Sequence, residues 1–195
     1  MLTLEQLQMK VPIPERNAIN SGLNPPTVGE MVNLFGEPSP YKRTEGVPID
    51  RMNRPLRDYM TTRNVGPFAM TGFVWFLWDW KRIFDEVRII KPELIHFIRP
   101  FGCLNVRLQR GSTYKWSNHA FGMAADFGFN RTADERDGEF VERGMLELYR
   151  TGIPHKYDMF WAAEYKIEDS MHWDASTKLI QRYAHLMATK ARFPF

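Results

Sequence analysis

The chain predicts an α+β domain, and three observations carry that expectation. Short apolar runs of strand length are interspersed with longer runs of helical spacing, without the strand–helix–strand rhythm of a parallel sheet. A composition that is 44% hydrophobic and 14% aromatic, over 195 residues, supplies a substantial core. Nine of the thirteen prolines lie within the first 67 residues, which separates a proline-rich segment, 1–66, from a more regular one, 67–195.

Taken in order, the first segment reads as loops and short helices wrapped over a core, because proline breaks helices and removes a ladder donor. One of those helices is "TVGEMVNLF", with Thr27 as N-cap and Glu30 three positions later. After Pro67, "FAMTG" reads as a short strand and Phe73 to Ile90 as a helix packed on several sides. "KPELIHFIR" follows as a short helix, and "GCLNVRLQ" alternates as a strand does. "DGEFVERGMLELYRTG" has helical spacing at Phe140, Val141, Met145, Leu146 and Leu148, stopped by Gly152. The last helix starts near Ser176 and carries Leu179, Ile180, Tyr183, Leu186 and Met187 on one face.

Several function classes are disfavoured at this level. Net charge is only +3 and no run of lysine or arginine occurs, so nucleic acid is not an expected partner. The lone Cys103 cannot form an internal disulfide. "MLTLEQLQMKVPIPERNAIN" lacks a basic stretch followed by an apolar one, so no signal peptide is expected. The most apolar run, "GFVWFLW", is too short to span a bilayer, so no membrane insertion is expected either.

The stretch that asks for an explanation is "WSNHAFGMAADF", residues 116 to 127. His119 and Asp126 stand seven apart among Ala, Gly and Met, where an unpaired carboxylate has no place in a core. Zinc accepts imidazole nitrogen and carboxylate oxygen, and catalytic sites use three protein ligands plus water. Five histidines are available in all. His96 sits in an apolar helix, His155 in a loop after proline and His185 on the last amphipathic helix. His172 lies in "IEDSMHWD", among acids and aromatics.

"SNHAFGMAAD" (Ser117 to Asp126) resembles the Ser-x-His-x-x-Gly-x-Ala-x-Asp signature of the zinc D-Ala-D-Ala carboxypeptidase and L-Ala-D-Glu endopeptidase family. "DSMH" resembles that family's second signature, an acid three residues before the last zinc-binding histidine. "WAAEY" (Trp161 to Tyr165) is similar to its Trp-Gly-Gly-x-aromatic segment, and "VRLQRGS" sits where many members have an arginine followed by Arg-Gly. The likeness runs from about Pro67 to Asp174 in order and spacing, and both signatures together are far more specific than either alone.

The resemblance implies a hedgehog/D,D-peptidase-like fold, a small antiparallel sheet flanked by helices. It makes 67–195 a zinc peptidase domain and 1–66 an N-terminal extension packed on it. It also implies a turn at Gly122 and a strand over "AADFGF". One Zn2+ per chain would be held by His119, Asp126 and His172, and Asp169 would be the general base. Glu168 is the neighbouring acid, set aside because the base stands three before the histidine. Arg107 would bind the substrate carbonyl or carboxylate and the developing oxyanion. Arg110 is the runner-up, placed on the opposite face of the expected strand. Ser117, Trp116 and Trp161 would contact substrate, with Trp173 as a further aromatic at the cleft. Ala162 and Ala163 replace the usual glycines and would narrow it.

The expected activity is hydrolysis of peptidoglycan stem peptides by a monomeric zinc metallopeptidase. It would be made in the cytoplasm and act in the periplasm or cell wall after release by another system, as a phage endolysin or a secreted cell-wall toxin does. The competing readings are a non-catalytic zinc-containing binding module of the same fold, which loss of the base would favour, and a histidine–metal nuclease. The nuclease would need a denser basic surface.

Overall fold

The computed structural model describes residues 1–132 and 136–195. Seven α-helices occur among them: α1 (Leu4–Gln8), α2 (Val28–Phe35), α3 (Val74–Ile90), α4 (Pro92–Phe97), α5 (Arg143–Arg150), α6 (Ile153–Lys156) and α7 (Thr177–Ala188). The strands are β1 (Lys10–Pro12), β2 (Met60–Asn64), β3 (Ala69–Phe73), β4 (Arg99–Gly102), β5 (Ala124–Gly128), β6 (Phe140–Glu142), β7 (Met159–Trp161) and β8 (His172–Ala175). They form a four-stranded antiparallel sheet in the order β4-β5-β8-β7 and two antiparallel pairs, β1 with β6 and β2 with β3. The molecule is an α+β fold with small antiparallel sheets and several helices. None of the described helices is long and apolar enough to cross a membrane.

The sheet has two unlike faces, and the alternation in "AADFGF" creates them. Ala125 and Phe127 of β5 and Trp173 and Ala175 of β8 turn inward and are fully buried. Phe127 packs edge-on against Trp80 of α3, ring centroids 4.6 Å apart, and against Phe84 at 5.3 Å. Trp173 stacks on Trp161, its cross-strand partner in β7, and meets Trp80. With α3 laid on one face, the residues between them, Asp126, His172 and Asp174, emerge together on the other.

Local chemistry accounts for the helix limits. Thr27 and Glu30 form the expected capping box at α2, and the Ser176 side chain caps α7 through the Leu179 amide. Lys91 precedes Pro92 and adopts an extended φ of −142°, which ends α3 and lets proline open α4. Buried Asp79 then ties α3 to α7, accepting from Arg182 Nη2 at 2.6 Å and Tyr183 Oη at 2.7 Å. The first 66 residues are joined to the rest by strand pairing: β1 pairs with β6, and β2 with β3.

Two expected elements differ. In "GCLNVRLQ" burial alternates only from Asn105 on, with Val106 and Leu108 buried, and only Gly102 belongs to a strand. The backbone amides beyond it bond to separate segments: Leu104 to Thr71, Asn105 to His119, Leu108 to Arg43. No single partner strand runs alongside, so no ladder forms. Likewise Phe140–Glu142 is strand rather than helix. Val141 pairs with Val11, and the buried Glu142 carboxylate accepts from the amides of Phe129 (2.7 Å) and Asn130 (3.1 Å). Tertiary pairing overrides the local helical spacing, and α5 begins one residue later.

The turn that leads into β5 is closed by Gly122, at φ +64°. A Cβ there would stand 2.7 Å from the Phe73 amide nitrogen. Gly122→Ala should therefore cost more than the ~1–2 kcal/mol of a left-handed alanine alone. Thermal unfolding should show a midpoint at least several degrees lower. An unchanged midpoint would mean that the turn relaxes without strain.

Candidate metal centre

Three segments deliver the centre. Asp126 and His172 are directly opposed residues of β5 and β8, so their side chains share one face at cross-strand distance. His119 comes from the 3-10 turn Asn118–Phe121, folded back by Gly122. His119 Nε2 lies 3.1 Å from His172 Nδ1 and 3.3 Å from Asp126 Oδ1, and His172 Nδ1 lies 2.8 Å from Asp126 Oδ1. These are the residues that the two signatures mark.

The outer nitrogens of both imidazoles face acceptors. His119 Nδ1 is 2.7 Å from the Cys103 carbonyl, and His172 Nε2 is 3.0 Å from Asp174 Oδ1. A proton on each outer nitrogen leaves both inner nitrogens as lone-pair atoms, aimed at each other and at a carboxylate oxygen. Three such atoms within 3.3 Å of one another can share a cation at their centre, a proton or a metal ion. Atoms held ~2.0–2.1 Å from zinc at tetrahedral corners lie roughly 3.3–3.4 Å apart, so the triangle is close to that size. Among the described residues, this group can hold a metal ion.

The electrostatics agree with the geometry. With protons rather than a metal ion on the inner nitrogens, burial pushes the Asp126 carboxyl up, but hydrogen bonds from His119 and His172 outweigh it and hold it well below the ordinary range. Burial pushes His172 down, and the Asp174 and Asp126 carboxylates outweigh it and raise it well above the usual imidazole value. Both histidines are 8% exposed, while the Asp126 side chain is 26% exposed and forms the open side.

Asp169 stands beside this group. Its side chain is 14% exposed and paired with Arg136, and it senses the charges of His172, Asp126 and His119. Burial raises its pKa, partly offset by His172 and Arg136. Glu168 is occupied elsewhere: it is fully buried, and its two oxygens accept from the amides of Ser170 (3.0 Å) and Gly138 (3.1 Å). Arg107 is half-buried, donates to the Leu108 carbonyl at 3.0 Å and feels Asp126, Arg110 and Arg136. Because the segment is not a strand, the alternation of faces that set Arg110 aside does not apply; Arg110 is exposed and close enough to Arg107 for their charges to repel.

The residues expected at substrate are placed unevenly. Ser117 opens the 3-10 turn through its carbonyl, which accepts from Ala120, and its side chain makes no capping hydrogen bond. Trp116 and Trp161 are 1% and 0% exposed. The Trp116 indole donates to Glu37 and that of Trp161 to the Ser170 carbonyl, with Trp161 stacked between Tyr149 and Trp173. All three rings, Trp173 included, are core side chains here, and full burial leaves no indole face for a ligand. Of the remaining histidines, His96 and His185 are exposed and His155 bonds to the Ser21 carbonyl.

Sequence reading passed over Asp174, Asn118 and Arg136. Asp174 had a signal, since two residues after a ligand on a strand is the same face. Arg136 had none, because its partner Asp169 lies 33 residues further along the chain. Comparison of the chain with family models, with curated proteins and with solved structures finds no match.

Proposed function

We propose that the chain is a zinc-dependent peptidase of the hedgehog/D,D-peptidase-like fold that hydrolyses peptide bonds in bacterial peptidoglycan stem peptides. The observation that carries this reading is the convergence of His119 Nε2, Asp126 Oδ1 and His172 Nδ1, with Asp169 beside them. Two imidazoles and one carboxylate, open on one side, form the donor set of catalytic zinc rather than of closed structural sites. The two sequence signatures, 53 residues apart from His119 to His172, meet at this one point.

When bound, zinc supplies Lewis acidity toward a carbonyl oxygen and toward water. Asp169, with its pKa raised by burial, is the base that takes a proton from the attacking water and passes it to the leaving amine. Among the described residues the Arg107 guanidinium bonds to the Leu108 carbonyl, and it offers its other donors to the charge that develops on the carbonyl oxygen. Ala162 and Ala163 are both fully buried, and the Ala162 carbonyl accepts from the Asp169 amide at 3.2 Å. We place the protein's action in the periplasm or cell wall.

Digestion of purified sacculi followed by mass spectrometry tests the reading, because new termini identify the bond cut. Sacculi bound but left intact would instead identify a binding module, and cleavage of nucleic acid would end the peptidase reading. On muropeptides, Arg107→Ala should lower kcat by on the order of 10²–10³-fold, the cost of one oxyanion donor. Arg107→Lys should recover only part of the rate, since an ammonium cannot reproduce the planar fork. Arg110→Ala should be nearly neutral. Equal small losses at both arginines would reduce Arg107 to a structural residue.

A further inference from the structure

Behind His172 lies a carboxylate that the mechanism above leaves unused. Asp174 stands two residues further along β8, on the same face, and is fully buried. Its Oδ1 accepts from His172 Nε2 and from Asn118 Nδ2, both at 3.0 Å, and its Oδ2 accepts from Tyr165 Oη at 2.7 Å.

A carboxylate buried without an Arg or Lys partner is costly, and three neutral donors would be satisfied as well by an amide or by water. What only the carboxylate supplies is a charged acceptor for the outer nitrogen of an imidazole. That bond keeps the proton on Nε2, turns Nδ1 toward Asp126 and His119, and raises the basicity of Nδ1 as a ligand. The other two bonds brace the carboxylate from both sides. Asn118 adjoins His119 in the 3-10 turn, and Tyr165 ends the Trp161–Tyr165 segment.

We propose that Asp174 is a positioning residue for the metal: acting through His172 and braced by Asn118 and Tyr165, it sets the tautomer and orientation in which His172 binds the ion. This rests on the zinc reading above. The test is zinc affinity, measured by competition with a chromophoric chelator for wild type, Asp174→Asn, Asp174→Ala and Tyr165→Phe. The metal-free unfolding midpoint of each and the visible spectrum of its cobalt(II) form complete the comparison.

Asp174→Ala should weaken zinc binding by about 10–100-fold, the usual loss for an outer partner of a metal-bound histidine. Asp174→Asn, which keeps an oxygen acceptor but not its charge, should lose less, and both should alter the cobalt spectrum. If Asp174→Ala does not fold, the Asn and Tyr165→Phe variants carry the test. A lower metal-free midpoint in these variants, with zinc affinity and cobalt spectrum equal to wild type, would make Asp174 a folding hub and overturn the inference alone. A wild-type chain that binds no zinc would remove the zinc reading and this inference together.

Discussion

Purified protein should carry one zinc ion per chain, and His119→Ala or His172→Ala should lose it. Each imidazole supplies one of three converging donors, and each is already held by an outer partner, the Cys103 carbonyl or Asp174. Removing a ligand should cost more than the ~10–100-fold typical of an outer partner. Binding should also stabilise the fold, because His119 comes from a turn while Asp126 and His172 belong to two paired strands. Zinc at about 1,000 times its Kd adds about 4 kcal/mol, which for a chain of this size is on the order of 10 °C in the unfolding midpoint. The gain should shrink as pH falls, since zinc must displace protons from its ligands. Metal analysis and thermal unfolding with and without a chelator read both effects. Wild type free of zinc, or His119→Ala retaining it, would sink the assignment.

Asp169→Ala should lose peptidase activity by ~10²–10⁴-fold, the range for removal of a general base, while keeping its zinc. The carboxylate is held beside the centre by the turn that ends in His172, whose amide bonds back to the Asp169 carbonyl at 3.0 Å. Its charge reaches His172, Asp126 and His119, and Arg136 pairs with it from the exposed side. Glu168→Gln is the informative comparison. It should reduce stability, because Glu168 anchors the amides of Gly138 and Ser170, and leave turnover in the folded fraction close to wild type. A zinc-loaded, folded Glu168→Gln that is inactive, beside an active Asp169→Ala, would exchange the two roles.

What was legible in the sequence is what short-range rules control. The capping box of α2, the long apolar α3 and the proline that opens α4 all follow from neighbours a few residues apart, and the family resemblance implied the strand over residues 124–128. The signature spacing also singled out His119, Asp126, His172 and Asp169, and the strand register together with the turn at Gly122 brings the first three within 3.3 Å of one another. Other features rest on long-range partners that no local pattern encodes. Residues 103–109 alternate as a strand does, yet their amides find three different segments, so no ladder forms. Val141 has helical spacing with Met145 and Leu148 but pairs with Val11, 130 residues earlier in the chain. Trp116 and Trp161 look equally suited to a cleft wall or a core, and only tertiary packing put them inside, Trp161 stacked on Trp173 of β8 and Trp116 with its indole N–H on Glu37. Asp174 and Arg136 gain their partners, His172 Nε2 and Asp169, from backbone geometry that exists only after the sheet and loops have closed. Residue types and spacings determined which groups were available. Tertiary structure decided which of them share one low-dielectric space, where hydrogen bonds and charges act most strongly.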